Sequence, residues 1–306
     1  MRPGVTRPEG APFRGSSKSD FEVLDAAIRA CQTAYRAKRK SLRTSELHVM
    51  GRRFKELLAN NELCRIFAVG RLLNPVTIDL YALAGGFHGF WLDQEHVGLS
   101  YQEIQTAAVA ARANGFDQFV RMAPTNYAQV TQNLEAGACG VMAAQIRSAA
   151  HAEEFVTWTK FAPRGMRGMN TSGRDADFTH RSQAEFAERA NREHLVLIQI
   201  ETAGAVQDAD AIAALDGVDV LFVGPADLSQ SLGILGQTSH PRVWEAIDVV
   251  AAACKRHGKH WGAVPADPAF AERAYDKGCR MLSLNTDILA VRRGIEAAKA
   301  AYQKQF

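Results

Sequence analysis

Eight short apolar runs recur along the chain from Arg65 onward, and nearly all are separated by stretches in which apolar residues return every three or four positions. The runs are Arg65 to Val69, Gly89 to Leu92, Gln118 to Met122, Gly140 to Ala143, Leu195 to Ile200, Val218 to Val223, His260 to Val264 and Arg280 to Leu284. Each is too short for a buried helix, and the intervening pattern is that of an amphipathic one. This alternation predicts an α/β chain with a parallel sheet. Eight strands are what a (β/α)8 TIM barrel needs, whereas a doubly wound open sheet would ordinarily have fewer. Neither G-x-G-x-x-G nor a Walker A sequence follows any strand, so a nucleotide cofactor is not expected.

The pattern also divides the chain. Residues 1–44 read as an N-terminal extension and residues 45–306 as the barrel. Met1 to Ser19 is rich in Pro, Gly, Arg and Ser and is expected to stay disordered. From Asp20 the apolar positions Phe21, Leu24, Ile28, Cys31 and Tyr35 predict a helix that ends in the basic residues Arg36, Lys38, Arg39 and Lys40. It is read as an accessory helix, with a membrane-surface or partner-docking element as the alternative.

Composition narrows the function classes. With 306 residues and 47% hydrophobic content the chain can bury a large core, and its net charge of +3 argues against nucleic-acid binding through phosphate contacts. The five cysteines are scattered and never spaced as C-x-x-C, which suggests a reducing compartment and hence the cytoplasm. No apolar stretch approaches the roughly 20 residues of a membrane span.

Barrel chemistry sits on the loops after the strands, so the strand ends supply the candidates. The second strand ends in Asp93-Gln94-Glu95-His96, the third in Val120-Arg121-Met122, and the fifth and sixth give Gln199, Glu201 and Asp227. Taken singly, an acid at a strand end is usually a helix N-cap. Two acids ending successive strands can share one divalent cation through hard oxygen ligands. His257 and His260 follow a helix end, where cations favour the dipole, and are read as solvated.

These residues resemble a known family. Asp93-Gln94-Glu95-His96, Val120-Arg121, Gln199-Ile200-Glu201-Thr202 and Gly224-Pro225-Ala226-Asp227-Leu228-Ser229 are similar in order and spacing to the motifs of the metal-dependent, class II pyruvate aldolases of the HpcH/HpaI type. Pro163-Arg164-Gly165-Met166-Arg167-Gly168 resembles that family's P-x-G-x-R-G loop, and Glu135-Ala136-Gly137-Ala138 adds to the match. The likeness runs from about Arg65 to Ile295 and leaves the extension outside it.

The resemblance implies a lyase that reversibly cleaves a 4-hydroxy-2-oxo acid to pyruvate and an aldehyde. Glu201 and Asp227 would hold the metal, of the Mg, Mn or Co kind, which stabilises the enolate of pyruvate. His96 would be the acid/base, with Asp93 fixing its tautomer, and Arg121 would set a fixed positive charge against the developing oxyanion. Gln199 would hydrogen-bond the keto acid, whose carboxylate would be received by the backbone of Gly224-Pro225-Ala226-Asp227. Arg164 and Arg167 are read equally as a grip on an anionic substrate tail or as loop-packing ion pairs. A homohexamer whose subunits exchange their final helices, Asp287 to Tyr302, is also implied, with Glu135 lying near the adjacent subunit's His96. Oxaloacetate decarboxylation, acyl-CoA ester lyase chemistry and a non-catalytic binding scaffold are the alternative readings. Three departures, Gln94, Phe67-Ala68-Val69 in the first strand and Ala143-Ala144, alter the pocket walls and leave the acceptor aldehyde open.

Overall fold

The computed structural model describes residues 52–306, so the reading of the extension as a disordered segment and an accessory helix falls outside the described residues. From Arg52 the order of elements is α1 (Arg52–Ala59), β1 (Cys64–Val69), α2 (Pro75–Ala84), β2 (Gly89–Asp93), α3 (Tyr101–Ala113), β3 (Asp117–Met122), α4 (Tyr127–Ala136), β4 (Gly140–Ala143), α5 (Ala149–Thr159), α6 (Gln183–Glu193) and β5 (Leu195–Ile200). It continues with α7 (Ala203–Gln207), α8 (Ala209–Ala214), β6 (Val220–Val223), α9 (Pro225–Ser231), α10 (Pro241–His257), β7 (His260–Ala263), α11 (Pro268–Asp276), β8 (Met281–Thr286) and α12 (Asp287–Ala301). The strands close in sequence order into a parallel barrel, β8 pairing back onto β1. All eight predicted strands are present, with ends shifted by a residue or two.

Residue alternation along each strand builds two cores. Outward positions such as Phe67, Phe90, Val120, Val141 and Ile198 meet the helices, while Ile66, Ala68, Trp91, Phe119, Met142, Leu197, Phe222 and Met281 fill the barrel itself. A short helix closes the N-terminal end. In α1 the fully buried Phe54 packs edge-on against Phe119, and its N–H donates to the Asp117 carboxylate at 2.8 Å. Among the described residues the C-terminal end has no such plug, so polar side chains placed there can reach a ligand.

The helices start where small polar residues satisfy their first N–H groups. Ser100 and Ser182 form capping boxes with Glu103 and Glu185, and Asn74, Asn126, Ser148, Thr202, Asp267 and Thr286 cap α2, α4, α5, α7, α11 and α12. No described helix is long and apolar enough to cross a membrane. The last helix departs from the ordinary barrel plan. Within α12 the only buried residue is Asp287, and every residue from Val291 to its end is exposed.

Candidate active site

Register brings the first candidates together. Asp93 at the end of β2 is the direct neighbour of Arg121 on β3, and the two form an ion pair with Nη2 2.8 Å from Oδ2 and Nε donating to Oδ1 at 3.2 Å. Glu95 takes the other side of the guanidinium, 3.3 Å from Nη1. The guanidinium also lies over the Trp91 ring, 4.7 Å from its centroid, and the Trp91 N–H is fixed by Ser283 Oγ at 2.9 Å. Arg121 is therefore buried, paired twice and stacked. Its position is set by three neighbours rather than by its own flexible stem.

In the structure Asp93 is engaged by groups other than the His96 ring. Its Oδ1 accepts from the backbone N–H groups of Glu95 and His96 as well as from Arg121. Both oxygens are thus committed to the arginine and to the shape of the loop. The acid beside the His96 ring is Glu95, 3.9 Å from Nε2. The His96 side chain itself stays 59% exposed at the open rim, where a substrate can reach it.

The carboxylate group lies across the barrel mouth. Glu201 is 1% exposed, and its Oε1 accepts from the backbone N–H of Gln145 at 2.7 Å and from the Gln145 side-chain amide at 3.1 Å. The Gln199 amide donates to its Oε2. Burial, with Glu95 and Asp227 adding like charge against the lowering effects of Gln145 and Arg121, pushes the Glu201 carboxyl up to about 7. Gly224 explains how β6 comes so close. A Cβ on Gly224 would sit 2.8 Å from both Gln199 Nε2 and Glu201 Oε2, so only glycine leaves this concavity open.

These residues suit a divalent cation. The donors are all hard oxygens, Glu201 and Asp227 are close enough to raise one carboxyl, and Gln199 keeps its buried Oε1 without a hydrogen-bond partner. Among the described residues no cluster of three His, Cys, Asp or Glu side chains forms a complete protein cage, so most of the coordination sphere would be left to substrate and water.

Two motifs lie elsewhere. Glu135 is in the last turn of α4, a helix that runs back from the rim, and there it accepts from Asn170 Nδ2 at 2.9 Å. It does not join His96 within one chain. Arg164 forms a bidentate pair with Glu153 at 2.9 and 2.7 Å, and Arg167 is buried against Asp175 and His194 Nδ1. Of the two readings of that loop, the packing one describes the structure. Gln94 has a structural part too, its Oε1 accepting from Asn133 Nδ2 at 2.8 Å and its Nε2 donating to Leu99 O at 3.0 Å.

Sequence reasoning passed over Gln145 and Glu95. Gln145 follows β4 and adopts a left-handed backbone at φ 57°, an uncommon conformation for a residue with a side chain. Reading the fourth strand's end as the others were read would have found it. Glu95 lay inside a motif already singled out.

A closed parallel barrel with an arginine, an exposed histidine and two acids at its C-terminal mouth is the arrangement of a (β/α)8 enzyme with an acid/base and anion-binding site. The profile of the HpcH/HpaI aldolase/citrate lyase family matches residues 94–293, and the chain belongs to that family, which makes it a carbon–carbon lyase. It is 31% identical over 253 residues to a 5-keto-4-deoxy-D-glucarate aldolase from Klebsiella pneumoniae, covering 82% of this chain and 97% of the relative. It is 35% identical over 218 residues to the 4-hydroxy-4-methyl-2-oxoglutarate aldolase tasA of Hapsidospora irregularis, covering 68% and 79%. The crystal structure of an HpcH/HpaI aldolase from Desulfitobacterium hafniense superposes with a TM-score of 0.74 at 34% identity, covering 80% of this chain and 96% of the other.

Proposed function

We propose that this chain reversibly cleaves a 4-hydroxy-2-oxo acid to pyruvate and an aldehyde, using a divalent cation of the Mg, Mn or Co kind held by Glu201 and Asp227. The observation that carries the reading is the fixed Arg121 guanidinium facing a mouth that also holds Glu201, Asp227 and the unpartnered Gln199 oxygen. When bound, the cation supplies positive charge to the keto acid's oxygens.

The chain's own residues account for the rest. His96 removes the proton of the substrate's C4 hydroxyl, the C3–C4 bond breaks, the aldehyde leaves and the electron pair moves onto the former keto oxygen. Arg121 stabilises that oxygen, and because Asp93, Glu95 and Trp91 already hold it, no reorganisation is needed as charge develops. His96 lies at the end of the site that faces solvent, which suits returning a proton to C3. Gln199 orients the keto acid. The first N–H groups of α9, at Ala226 and Asp227 behind Gly224 and Pro225, have no side-chain cap and suit its carboxylate.

The test is removal and return of metal. Chelator-stripped protein should lose aldol cleavage and regain it with Mg, Mn or Co, and His96→Ala and Arg121→Ala should each slow exchange of pyruvate methyl protons with deuterated water by about 10²- to 10⁴-fold. Full turnover by metal-free Asp227→Asn protein would sink the proposal.

The reading extends to assembly. We infer a homohexamer in which α12 of one copy packs on a neighbour and Glu135 approaches the neighbour's His96. One feature supports it: α12 buries no apolar residue of its own.

A further inference from the structure

We propose that Gln145 determines which divalent cations the mouth accepts: by occupying one oxygen of Glu201 it leaves that carboxylate a single oxygen to offer, so the site takes magnesium-like ions and discriminates against calcium. The inference rests on the reading of Glu201 and Asp227 as the cation's ligands and adds a specificity determinant to it.

The two Glu201 oxygens face different strands. Oε1 is turned to the end of β4, where it accepts from the Gln145 backbone N–H at 2.7 Å and from Gln145 Nε2 at 3.1 Å. Oε2 is on the β6 side, 2.8 Å from where a Cβ on Gly224 would sit, and β6 is the strand that leads into Asp227. An ionised carboxylate has about four lone-pair positions. Among the described residues the two Gln145 donors fill those of Oε1, and the Gln199 amide takes one of those on Oε2. The position left open belongs to the oxygen that faces the Asp227 side.

Gln145 can hold Oε1 in place because its turn is pinned on both sides. The Ala144 N–H donates to Met122 O at 2.8 Å, and Ile146 O accepts from Thr202 Oγ1 at 2.7 Å. Between them Gln145 takes a left-handed backbone at φ 57°, which persists at a residue with a side chain only where the surroundings over-determine it. The result is that main-chain and side-chain donors of one residue converge on one oxygen. A carboxylate restrained in this way suits some cations better than others. Magnesium and manganese fit an octahedron built from single oxygens, whereas calcium favours a larger, looser shell and often takes both oxygens of one carboxylate.

The experiment measures binding rather than turnover. Manganese ion is titrated with the intact chain and followed by its electron paramagnetic resonance signal, and calcium affinity is read from displacement of the manganese. The quantity compared is the ratio of the two Kd values, because a change in the basicity of Glu201 moves both and cancels. The wild-type protein should bind manganese at least about 10-fold more tightly than calcium. Gln145→Met keeps the main-chain bond and a side chain of similar length but loses the amide donor. It should lower the ratio by roughly 10-fold, with calcium bound no more weakly than in the wild type. Gln145→Ala should do the same, and it carries the test if the methionine variant does not fold. Gln94→Met removes a glutamine of the mouth that bonds to Asn133 and Leu99 instead, and should keep the wild-type ratio. A wild-type protein that does not discriminate, an unchanged ratio in the Gln145 variants, an equal weakening of both ions, or an equal fall in Gln94→Met would each overturn the assignment while the cation reading stands. If manganese did not bind the wild-type protein, or bound Asp227→Asn as tightly, the cation reading would fall and this inference with it.

Discussion

At the scale of single residues, the site depends on how Arg121 is held. An exposed arginine loses considerable side-chain entropy when a substrate orders it, and Asp93, Glu95 and Trp91 remove that cost beforehand. This gives Asp93 a role that can be separated from His96. If Asp93 acts through Arg121, Asp93→Ala should slow cleavage by about 10- to 100-fold, and the Asp93→Ala, Arg121→Ala double variant should be no slower than Arg121→Ala alone. If Asp93 instead acted through the imidazole, the double variant would show the product of the two effects. Steady-state rates of the four proteins distinguish these outcomes. Gly224 belongs to the same scale, since Gly224→Ala would thrust a methyl group between Gln199 and Glu201.

At the scale of elements, the long segment between α5 and β5 is secured by buried charge on the wall away from the mouth. Lys160 donates to the carbonyls of Asn191 and His194 at 3.0 and 3.2 Å, and Arg167 bridges Asp175 and His194. Burial, with Arg167 and Lys160 adding to it, holds the His194 imidazole well below its ordinary value of 6.5, so in the folded protein it stays neutral and its Nδ1 accepts from Arg167. The unfolded chain takes up a proton near 6.5 and the folded one does not, so folding stability falls as pH drops below that value. This one group should therefore make the protein less stable at about pH 5.5 than at about pH 7.5. Denaturant unfolding at both pH values should show a smaller acid-side loss in His194→Gln than in the wild-type protein. An equal loss in both would mean that the imidazole is not the group responsible.

At the scale of the whole molecule, α12 is the element without a home. An isolated helix of its length is marginal in water, because nucleation is costly and packing normally supplies most of the stability. Ile288, Val291 and Ile295 on α12 face solvent, as do Val76, Leu80 and Leu83 on α2, and a cavity of about 410 Å³ opens between the two helices. Leu83 is 84% exposed, and so many apolar side chains on neighbouring helices are unusual for a lone barrel. Sedimentation should therefore find an oligomer, and a chain ending at Val291 should dissociate. A stable, fully active monomer of the intact chain would end the exchanged-helix proposal. Mixed oligomers of Glu135→Ala and His96→Ala chains should recover some activity if the two residues meet across subunits.

The eight strands were legible because each buried run, such as Leu195 to Ile200, is bounded by turn residues and followed by a capped amphipathic helix, and these are local signals. The rim candidates were legible for a related reason: once the strands are placed, barrel topology says which end of each carries chemistry, and Arg121, Gln199, Glu201 and Asp227 follow from that. What no local pattern contains is which side chains meet. That Asp93 pairs with Arg121 comes from the β2–β3 register, and that Gln145 holds Glu201 comes from the β4 and β5 ends lying side by side. Nothing local distinguishes Arg167, buried with Asp175, from Arg71, exposed beside His96, because both are arginines near a glycine. The sequence alone determined the barrel and most of the groups at its mouth, since short-range periodicity places the strands and the strand ends name the groups. Only the tertiary structure decided their partners and α12's exposure, since hydrogen bonds and burial depend on distances between residues far apart in the chain.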